Sequence, residues 1–257
     1  MAQTKRKPLG LRRILACVLA AMLLLTMLPL QSAAQGALSV SVTDAPYNAV
    51  GDGVTNDREA IQAAIDAVAA AGGGTVNLPA GRTFLTGGIY LKSNITLNFG
   101  EGTVLKQSPN QGDYVKPEVN GVYEPYTPVL GHNDPDATYN WPHTWLVSNY
   151  PFIYGGSGLE NVTIQGNGTI EMTPGKSCAS TIHIMPVFLF EVNGFELKDY
   201  RIRRASTYGM QVMGCKNGLI QNLDLREYEC ANGDGMHVTN CQNIRVTGCT
   251  VESDDDS

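Results

Sequence analysis

Short runs of alternating apolar and polar residues recur along the C-terminal half of the chain. The segment from Gly209 to Asn217, Gly-Met-Gln-Val-x-x-Cys-x-Asn, returns 26 residues later between Gly235 and Asn243 as Gly-Met-His-Val-x-x-Cys-x-Asn. Apolar or small residues then follow at the same offsets after Gly194, Asn217 and Asn243. They are Phe195, Leu197, Tyr200 and Ile202; Gly218, Ile220, Leu223 and Leu225; and Ile244, Val246, Cys249 and Val251. A unit of about 23–26 residues predicts an all-β fold, the right-handed parallel β-helix, in which each rung buries alternate residues against the next.

Two asparagines hold the same place in successive repeats. Asn217 and Asn243 each follow a short apolar run and precede the next strand. Asparagine tolerates left-handed backbone geometry at such turns, and stacked amides can bond one another. We therefore expect Asn217 and Asn243 to form a structural ladder rather than a binding site.

An amphipathic helix is predicted near the N-terminus of the repeating domain. Asn56 with Glu59 resembles a capping box, apolar residues follow at helical spacing, and three glycines at 72–74 end the pattern. This opening resembles the N-terminal cap of pectin-lyase-like β-helices, in which a helix covers the open end of the core. We expect a signal peptide at residues 1–34 and a single β-helix domain at residues 35–257.

The leader prediction depends on charge and hydropathy. Basic residues at positions 5–7 and 12–13 precede an apolar run at residues 14–30, and Ser32-Ala-Ala offers small residues for cleavage. This order is typical of a secretory signal peptide, so we expect a secreted protein, extracellular or periplasmic, with no membrane segment after cleavage. A retained N-terminal anchor is the alternative.

The chain is acidic, with 24 Asp and Glu against 18 Lys and Arg. This balance argues against nucleic acid and anionic membranes as partners. A cluster of cations at Lys198, Arg201, Arg203 and Arg204 offers local positive charge, either for substrate carboxylates or as a solvated edge.

Acidic residues appear at two places about one rung apart. Asp234 lies between two glycines, and Asp254, Asp255 and Asp256 follow after one predicted turn of the solenoid. Strands of adjacent rungs lie about 4.8 Å apart, so these carboxylates would share one patch. Crowded like charges raise one pKa and leave other groups ionised, which supplies a proton donor and a base from one residue type. The alternative is a solvated acidic terminus.

The spacing of these acids resembles that of family 28 of the glycoside hydrolases, the polygalacturonase family. Asn232-Gly-Asp-Gly is followed, 21 and 22 residues after its Asp, by Asp255 and Asp256. The resemblance implies inverting hydrolysis of pectic, galacturonan-type polysaccharide, with Asp255 as general acid and Asp234 and Asp256 activating water. It also implies that Asn232 and His237 contact substrate, His237 standing where many members have Asp.

The resemblance further implies no cofactor, no metal, a polysaccharide substrate as partner, and a monomer when intact. Two more family motifs, Gly-His-Gly and Arg-x-Lys, would follow Ser257, so we expect a chain that is truncated and inactive by itself. A non-catalytic β-helix of the polysaccharide-binding or adhesin type is an alternative, as is a pectate-lyase-type eliminase that uses calcium.

Two further features allow alternatives. Cys215 and Cys241 would stack inside adjacent rungs, as core thiols or as a disulfide, among five cysteines that follow the leader. Residues 107–156 interrupt the repeat and carry nine Tyr, Trp and Phe residues. These aromatic residues form one wall of a carbohydrate groove, or they pack the segment onto the solenoid.

Overall fold

The computed structural model describes residues 37–114, 118–119, 122–123, 149–172, 183–205, 208–226 and 233–256. These residues contain one α-helix, α1 (Arg58–Ala70), a 3-10 turn at Gln111–Asp113 and 21 strands. The strands are β1 Leu38–Ser41, β2 Asp52–Asn56, β3 Gly74–Leu78, β4 Thr83–Thr86, β5 Ile89–Tyr90, β6 Ile95–Phe99, β7 Val104–Gln107, β8 Glu118–Val119, β9 Val122–Tyr123, β10 Asn149–Gly155, β11 Glu160–Gly166, β12 Thr169–Glu171, β13 His183–Phe190, β14 Asn193–Lys198, β15 Arg201–Arg203, β16 Met210–Met213, β17 Lys216–Gln221, β18 Asp224–Arg226, β19 Met236–Thr239, β20 Gln242–Thr247 and β21 Thr250–Val251.

Nearly all strands belong to three stacked parallel sheets. Sheet 1 has the order β1-β3-β6-β11-β14-β17-β20, and sheet 2 has the order β2-β4-β7-β12-β15-β18-β21. Sheet 3 has the order β19-β16-β13-β10-β5, and β8 and β9 form a separate antiparallel pair. The chain therefore visits the three sheets in turn on five coils, as in the predicted parallel β-helix, while the coils of β1-β2 and β20-β21 have strands in sheets 1 and 2 only among the described residues.

The interior is built from columns of equivalent residues. One column runs through sheet 1 in the order Val76, Leu97, Ile164, Leu197, Ile220 and Val246. The first five are fully buried, and Val246 is 49% exposed. Side chains on one face of neighbouring parallel strands stack directly, so each rung covers the apolar residues of the rung before it. The predicted repeat is confirmed in its register, because Met210 pairs with Met236 and Val212 with Val238.

Helix α1 packs its apolar face against the first rungs. Its buried residues are Ile61, Ala64, Ile65 and Val68, and the helix contacts β1, β3, β5 and β6. The helix begins after Asp57, one residue later than the predicted cap, and the Asp57 side chain makes no cap bond. Asn56 Oδ1 still accepts a hydrogen bond from the Arg58 amide at 3.1 Å, as expected of a capping side chain. The Asp57 carboxylate instead accepts hydrogen bonds from the backbone of Val50 (2.6 Å) and Gly51 (3.0 Å). That the helix covers the end of the core stays a prediction.

The predicted asparagine ladder is present. Asn217 and Asn243 both have positive φ, 54° and 58°. The Asn243 amide donates to Asn217 Oδ1 at 2.7 Å, and the Asn217 amide donates to Asn193 Oδ1 at 2.9 Å. Asn161 donates likewise to Asn94 at 2.9 Å in earlier rungs. These asparagines stabilise the turn that leads into sheet 1, which confirms their structural role.

The described cysteines Cys215, Cys241 and Cys249 are free thiols, so the core-thiol alternative is the one observed. Cys215 is buried, and burial raises the pKa of its thiol to about 12. Its sulfur accepts a hydrogen bond from the Val192 amide at 3.3 Å. Cys178 and Cys230 lie outside the described residues.

The interrupting segment is shorter than predicted, since Gln107 ends β7 and residues 149–155 form β10. The described aromatic side chains Tyr114, Phe152 and Tyr154 are buried. These three pack onto the solenoid and do not line a groove, whereas the other six positions carry no described side chain.

Arg201 and Arg203 point outward on either side of buried Ile202, as the alternation predicts. Arg203 donates to Asp224 Oδ2 at 2.9 Å, and Lys198 pairs with Glu196 at 2.5 Å. Two of the four residues of the predicted cationic cluster are therefore paired with neighbouring carboxylates.

The predicted leader, residues 1–34, lies outside the described part of the chain. Within the described ranges, no helix is both long enough and apolar enough to cross a membrane.

Candidate active site

The two acidic segments lie side by side on successive coils. Asp234 immediately precedes Gly235 and β19, and Asp254, Asp255 and Asp256 follow β21 after one full turn of the solenoid. The Gly235 amide donates to the Asp256 carbonyl at 2.7 Å, and the Asp254 amide donates to the Gly233 carbonyl at 3.1 Å. These ladder bonds place the acidic segments at adjacent rungs, as the spacing predicts.

Asp234 and its neighbours differ sharply in exposure. Asp234 is 6% exposed, whereas Asp255 and Asp256 are exposed. Its Oδ2 lies 2.8 Å from His237 Nε2, and its buried Oδ1 has no hydrogen-bond partner among the described residues. A buried carboxylate oxygen with empty lone pairs is uncommon away from functional sites.

The surroundings of Asp234 raise its pKa. Burial is the largest cause, and the negative charges of Asp255 and Asp256 add to it. The hydrogen bond and charge of His237 act in the opposite direction without cancelling the effect. A carboxylate with a raised pKa is a stronger proton acceptor once ionised, and it stays protonated to higher pH when it serves as a donor. Asp234 can therefore exchange a proton at a higher pH than an ordinary aspartate.

His237 bonds to Asp234 and stacks on an aromatic ring. It lies on β19, and its imidazole ring centre is 4.3 Å from that of Tyr208, with the planes inclined by 35°. Its register partner on β16 is Gln211, whose Oε1 is also buried without a partner in the described part of the chain. The predicted substrate contact of His237 stays a prediction, and its contact with Asp234 was not anticipated.

Tyr208 was missed by the sequence reasoning. It precedes Gly209 just as Asp234 precedes Gly235, so it occupies the same place one rung earlier. The Gly209 amide donates to the Asp234 carbonyl at 2.8 Å, which confirms this equivalence. Following the 26-residue repeat one position further towards the N-terminus would have identified it.

Other predicted features lie elsewhere or are not described. Asn232 and Ser257 lie outside the described residues. No group of three or more His, Cys, Asp or Glu side chains in the described ranges is arranged to hold a metal ion.

An open groove of about 430 Å³ lies along sheet 1 and contains none of the predicted acids. It is lined by Asn161, Val162, Thr163, Gly194, Phe195, Glu196, Asn217, Gly218, Leu219, Asn243 and Arg245.

Two protein families match the chain. Residues 39–121 match "Rhamnogalacturonase A/epimerase, pectate lyase-like", and residues 148–257 match "Glycosyl hydrolases family 28". The second match contains Asp234, Asp255 and Asp256, on which the resemblance to family 28 was based, and it confirms that resemblance.

The chain is also similar in sequence to individual proteins. An exo-poly-α-D-galacturonosidase of Dickeya chrysanthemi is 26% identical over 248 residues, 82% of this chain and 40% of that protein. A mannuronan C5-epimerase of Azotobacter vinelandii is 42% identical over 98 residues, 34% of this chain and 7% of that protein. The chain thus spans less than half the length of either relative.

The fold is shared with a solved structure. The family 28 exopolygalacturonase of Yersinia enterocolitica superposes with a TM-score of 0.64 at 21% identity, over 84% of this chain and 43% of that one. At this identity the similarity establishes the fold, and it agrees with the predicted all-β, right-handed parallel β-helix.

Proposed function

We propose, on the premise that this chain is a relative of the polygalacturonase-like family 28 glycosyl hydrolases, that the protein hydrolyses glycosidic bonds of galacturonan-type, pectic polysaccharide. The observation that carries the proposal is the pairing of residues 233–235 with residues 254–256. The backbone bonds from Gly235 to Asp256 and from Asp254 to Gly233 hold Asp234 beside the acidic pair on the next coil. Glycoside hydrolysis needs a carboxylic acid and a carboxylate at one site.

The proposed roles are those that the resemblance to family 28 implies. Asp255, which is exposed, protonates the leaving glycosidic oxygen. Asp234 and Asp256 accept a proton from water, whose oxygen forms the new bond to the anomeric carbon as the carbon–oxygen bond to the leaving sugar breaks. Attack from the opposite face inverts the configuration at that carbon. No cofactor takes part in this scheme.

Asn232 and His237 are proposed to contact the sugar beside the cleaved bond. The protein acts as a secreted monomer after removal of residues 1–34. Its acidic balance disfavours nucleic acid, while exposed Arg201 offers a positive charge to a substrate carboxylate.

The direct test measures reducing ends released from polygalacturonate by the protein expressed from its complete reading frame. Asp255→Asn keeps size and removes the proton donor, and we expect a loss of about 100-fold or more. Asp254→Asn is the matched control, because it removes the same charge from the adjacent exposed residue and is expected to retain activity. NMR of the first product formed reads the anomeric configuration.

Other outcomes point to the alternatives. Unsaturated, ultraviolet-absorbing products that disappear with chelator would indicate an eliminase. Binding of polygalacturonate without turnover would indicate a non-catalytic binding protein. Full activity in Asp255→Asn would overturn the assigned acid.

A further inference from the structure

We propose that Tyr208 and His237 are positioning residues for Asp234, holding its Oδ2 so that Oδ1 is the atom that accepts the proton from water. This inference rests on the proposed hydrolysis and extends it to two residues outside the acidic triad. It assigns different tasks to the two oxygens of one carboxylate.

The first support is the hydrogen bond itself. Asp234 must be ionised to act as the proposed base, and an ionised carboxylate can only accept, so the proposal requires the proton of the 2.8 Å contact with Asp234 Oδ2 to lie on His237 Nε2. Oδ2 is therefore occupied. The buried Oδ1 has no partner in the described structure, and a water molecule entering with substrate would supply the hydrogen bond that it lacks.

The second support is the way the imidazole is held. Tyr208 lies against one face of the His237 ring, with centroids 4.3 Å apart. The other constraint is the sheet, since His237 lies on β19 next to Gln211 of β16 and has a side chain that is 29% exposed. A ring fixed by stacking and by a strand keeps Nε2 directed at the carboxylate, and small displacements of such groups are costly in catalysis.

The third support is electrostatic. The titratable groups that face Asp234 in the described structure are His237, Tyr208, Asp255 and Asp256. Burial, followed by the charges of Asp234, Asp255 and Asp256, raises the pKa of the Tyr208 phenol. Tyr208 therefore stays neutral throughout the working range and adds no negative charge. His237 is the group among these that lowers the pKa of Asp234.

The histidine is tested with two amides of different reach. His237→Gln places its amide nitrogen near the position of Nε2, whereas His237→Asn is too short to reach Oδ2. We expect His237→Asn to lower kcat about 100-fold with little change in KM, and His237→Gln to recover most of that loss. In His237→Asn the acidic limb of kcat/KM should also move to higher pH, because the hydrogen bond that favours ionised Asp234 is gone. Unchanged kcat in both variants, with only KM raised, would leave His237 its proposed sugar contact alone and overturn the positioning role.

The tyrosine is tested by separating its ring from its hydroxyl. Tyr208→Phe keeps the stacked ring and is expected to retain most of kcat, whereas Tyr208→Leu is expected to reproduce the His237→Asn profile. Tyr90→Leu is the control, because Tyr90 lies at the far end of sheet 3 from β19. Equal effects of Tyr208→Leu and Tyr90→Leu would indicate a general packing role and contradict the inference.

A spectroscopic readout separates this inference from the function on which it rests. In ¹⁵N-histidine spectra the His237 signal, identified by its loss in His237→Gln, should report the Nε2–H tautomer in the neutral ring. If the protein shows this tautomer but cleaves no pectic polymer, the proposed substrate is refuted and the proposed His237–Asp234 hydrogen bond stands. A Nδ1–H tautomer would refute the pair even in an active enzyme.

Discussion

A buried carboxylate beside two exposed ones carries the chemistry proposed for this protein. Asp234 is enclosed by the rung that carries Tyr208 and the rung that carries Asp256, and only His237 bonds to its side chain in the described structure. An ionised carboxylate in this position destabilises the folded state, because the charge is removed from water and lies near other negative charges. We therefore expect ionised Asp234 to serve the reaction while lowering the free energy of unfolding.

Asp234→Asn should raise the free energy of unfolding by about 1–2 kcal/mol at pH 7 while abolishing hydrolysis. The pKa of Asp234 is raised in the folded state, so folding binds its proton more tightly and wild-type stability falls as pH rises through that value. The gain should disappear below about pH 3.9, where unfolded aspartate is also protonated. Chemical denaturation across this pH range measures it, and a variant that is less stable at pH 7 would contradict the expectation.

Sequence reasoning found the acids and missed what surrounds them. Asp234, Asp255 and Asp256 were found because their spacing equals one coil and matches a family motif. Tyr208 shares that coil position without being acidic, so no search for carboxylates would select it. The helix start was predicted one residue early, and the sequence did not reveal that the Asp57 carboxylate bonds to the backbone of residues 50–51 and does not cap the helix.

At the scale of strands, two neighbouring rungs fit because a small residue on one lies against a large residue on the other. Gly218 on β17 pairs with Phe195 on β14, and a Cβ at Gly218 would overlap the Phe195 ring. Glycine is thus required at this position because the Phe195 ring lies too close for a side chain, and not because of a turn in the backbone. The sequence showed that Gly218 occupies an apolar position of the repeat. It did not show that a glycine is needed there because Phe195 of the neighbouring rung fills the space.

Gly218→Ala should destabilise the protein by about 1–3 kcal/mol, because the added methyl overpacks a filled core. Phe195→Leu in the same chain should recover part of this loss, which a double-mutant cycle of denaturation midpoints would measure. Gly112→Ala is the control, since a Cβ there would meet only the Asn110 side chain, at 3.5 Å or more. Purely additive effects of the two substitutions would show that they do not interact.

Sheet 3 departs from the alternation that made the other sheets predictable. All four residues of β16 are buried, as are residues 184–190 of β13. Tyr154, Phe188, Phe190 and Met213 form a second apolar cluster on its other face. Period-two patterns arise only where one face meets water, so a strand that is buried on both faces cannot be oriented from its sequence.

At the scale of the whole molecule, stability is a sum of rung-to-rung contacts. The interior column residues of β6, β11, β14 and β17 are fully buried, whereas Val238 on β19 and Val246 on β20 are 40% and 49% exposed. Solenoids of this kind open locally where neighbour contacts are fewest. Asp234 directly precedes β19 in this part of the solenoid, and the acidic residues that lie beside it follow β21 on the next coil.

In the 257-residue chain, amides of β11 and β14 should exchange with solvent at least about tenfold more slowly than those of β20, since opening free energies differ between well covered and poorly covered units. Hydrogen exchange followed by mass spectrometry measures the difference at peptide resolution. Uniform protection along the solenoid would show that the described domain unfolds as one unit.

The coil-by-coil register also has an evolutionary consequence. Because each interior column repeats one residue per rung, a duplicated or deleted coil leaves the remaining columns aligned and the asparagine ladder unbroken. One exception is the junction between the coil that begins at Asp234 and the acidic residues that follow β21. A duplication placed there would separate the proposed acid from its base, and one placed between Tyr208 and Asp234 would separate Tyr208 from His237. Lengthening of the chain is therefore expected to be tolerated elsewhere along the solenoid and excluded at these two junctions.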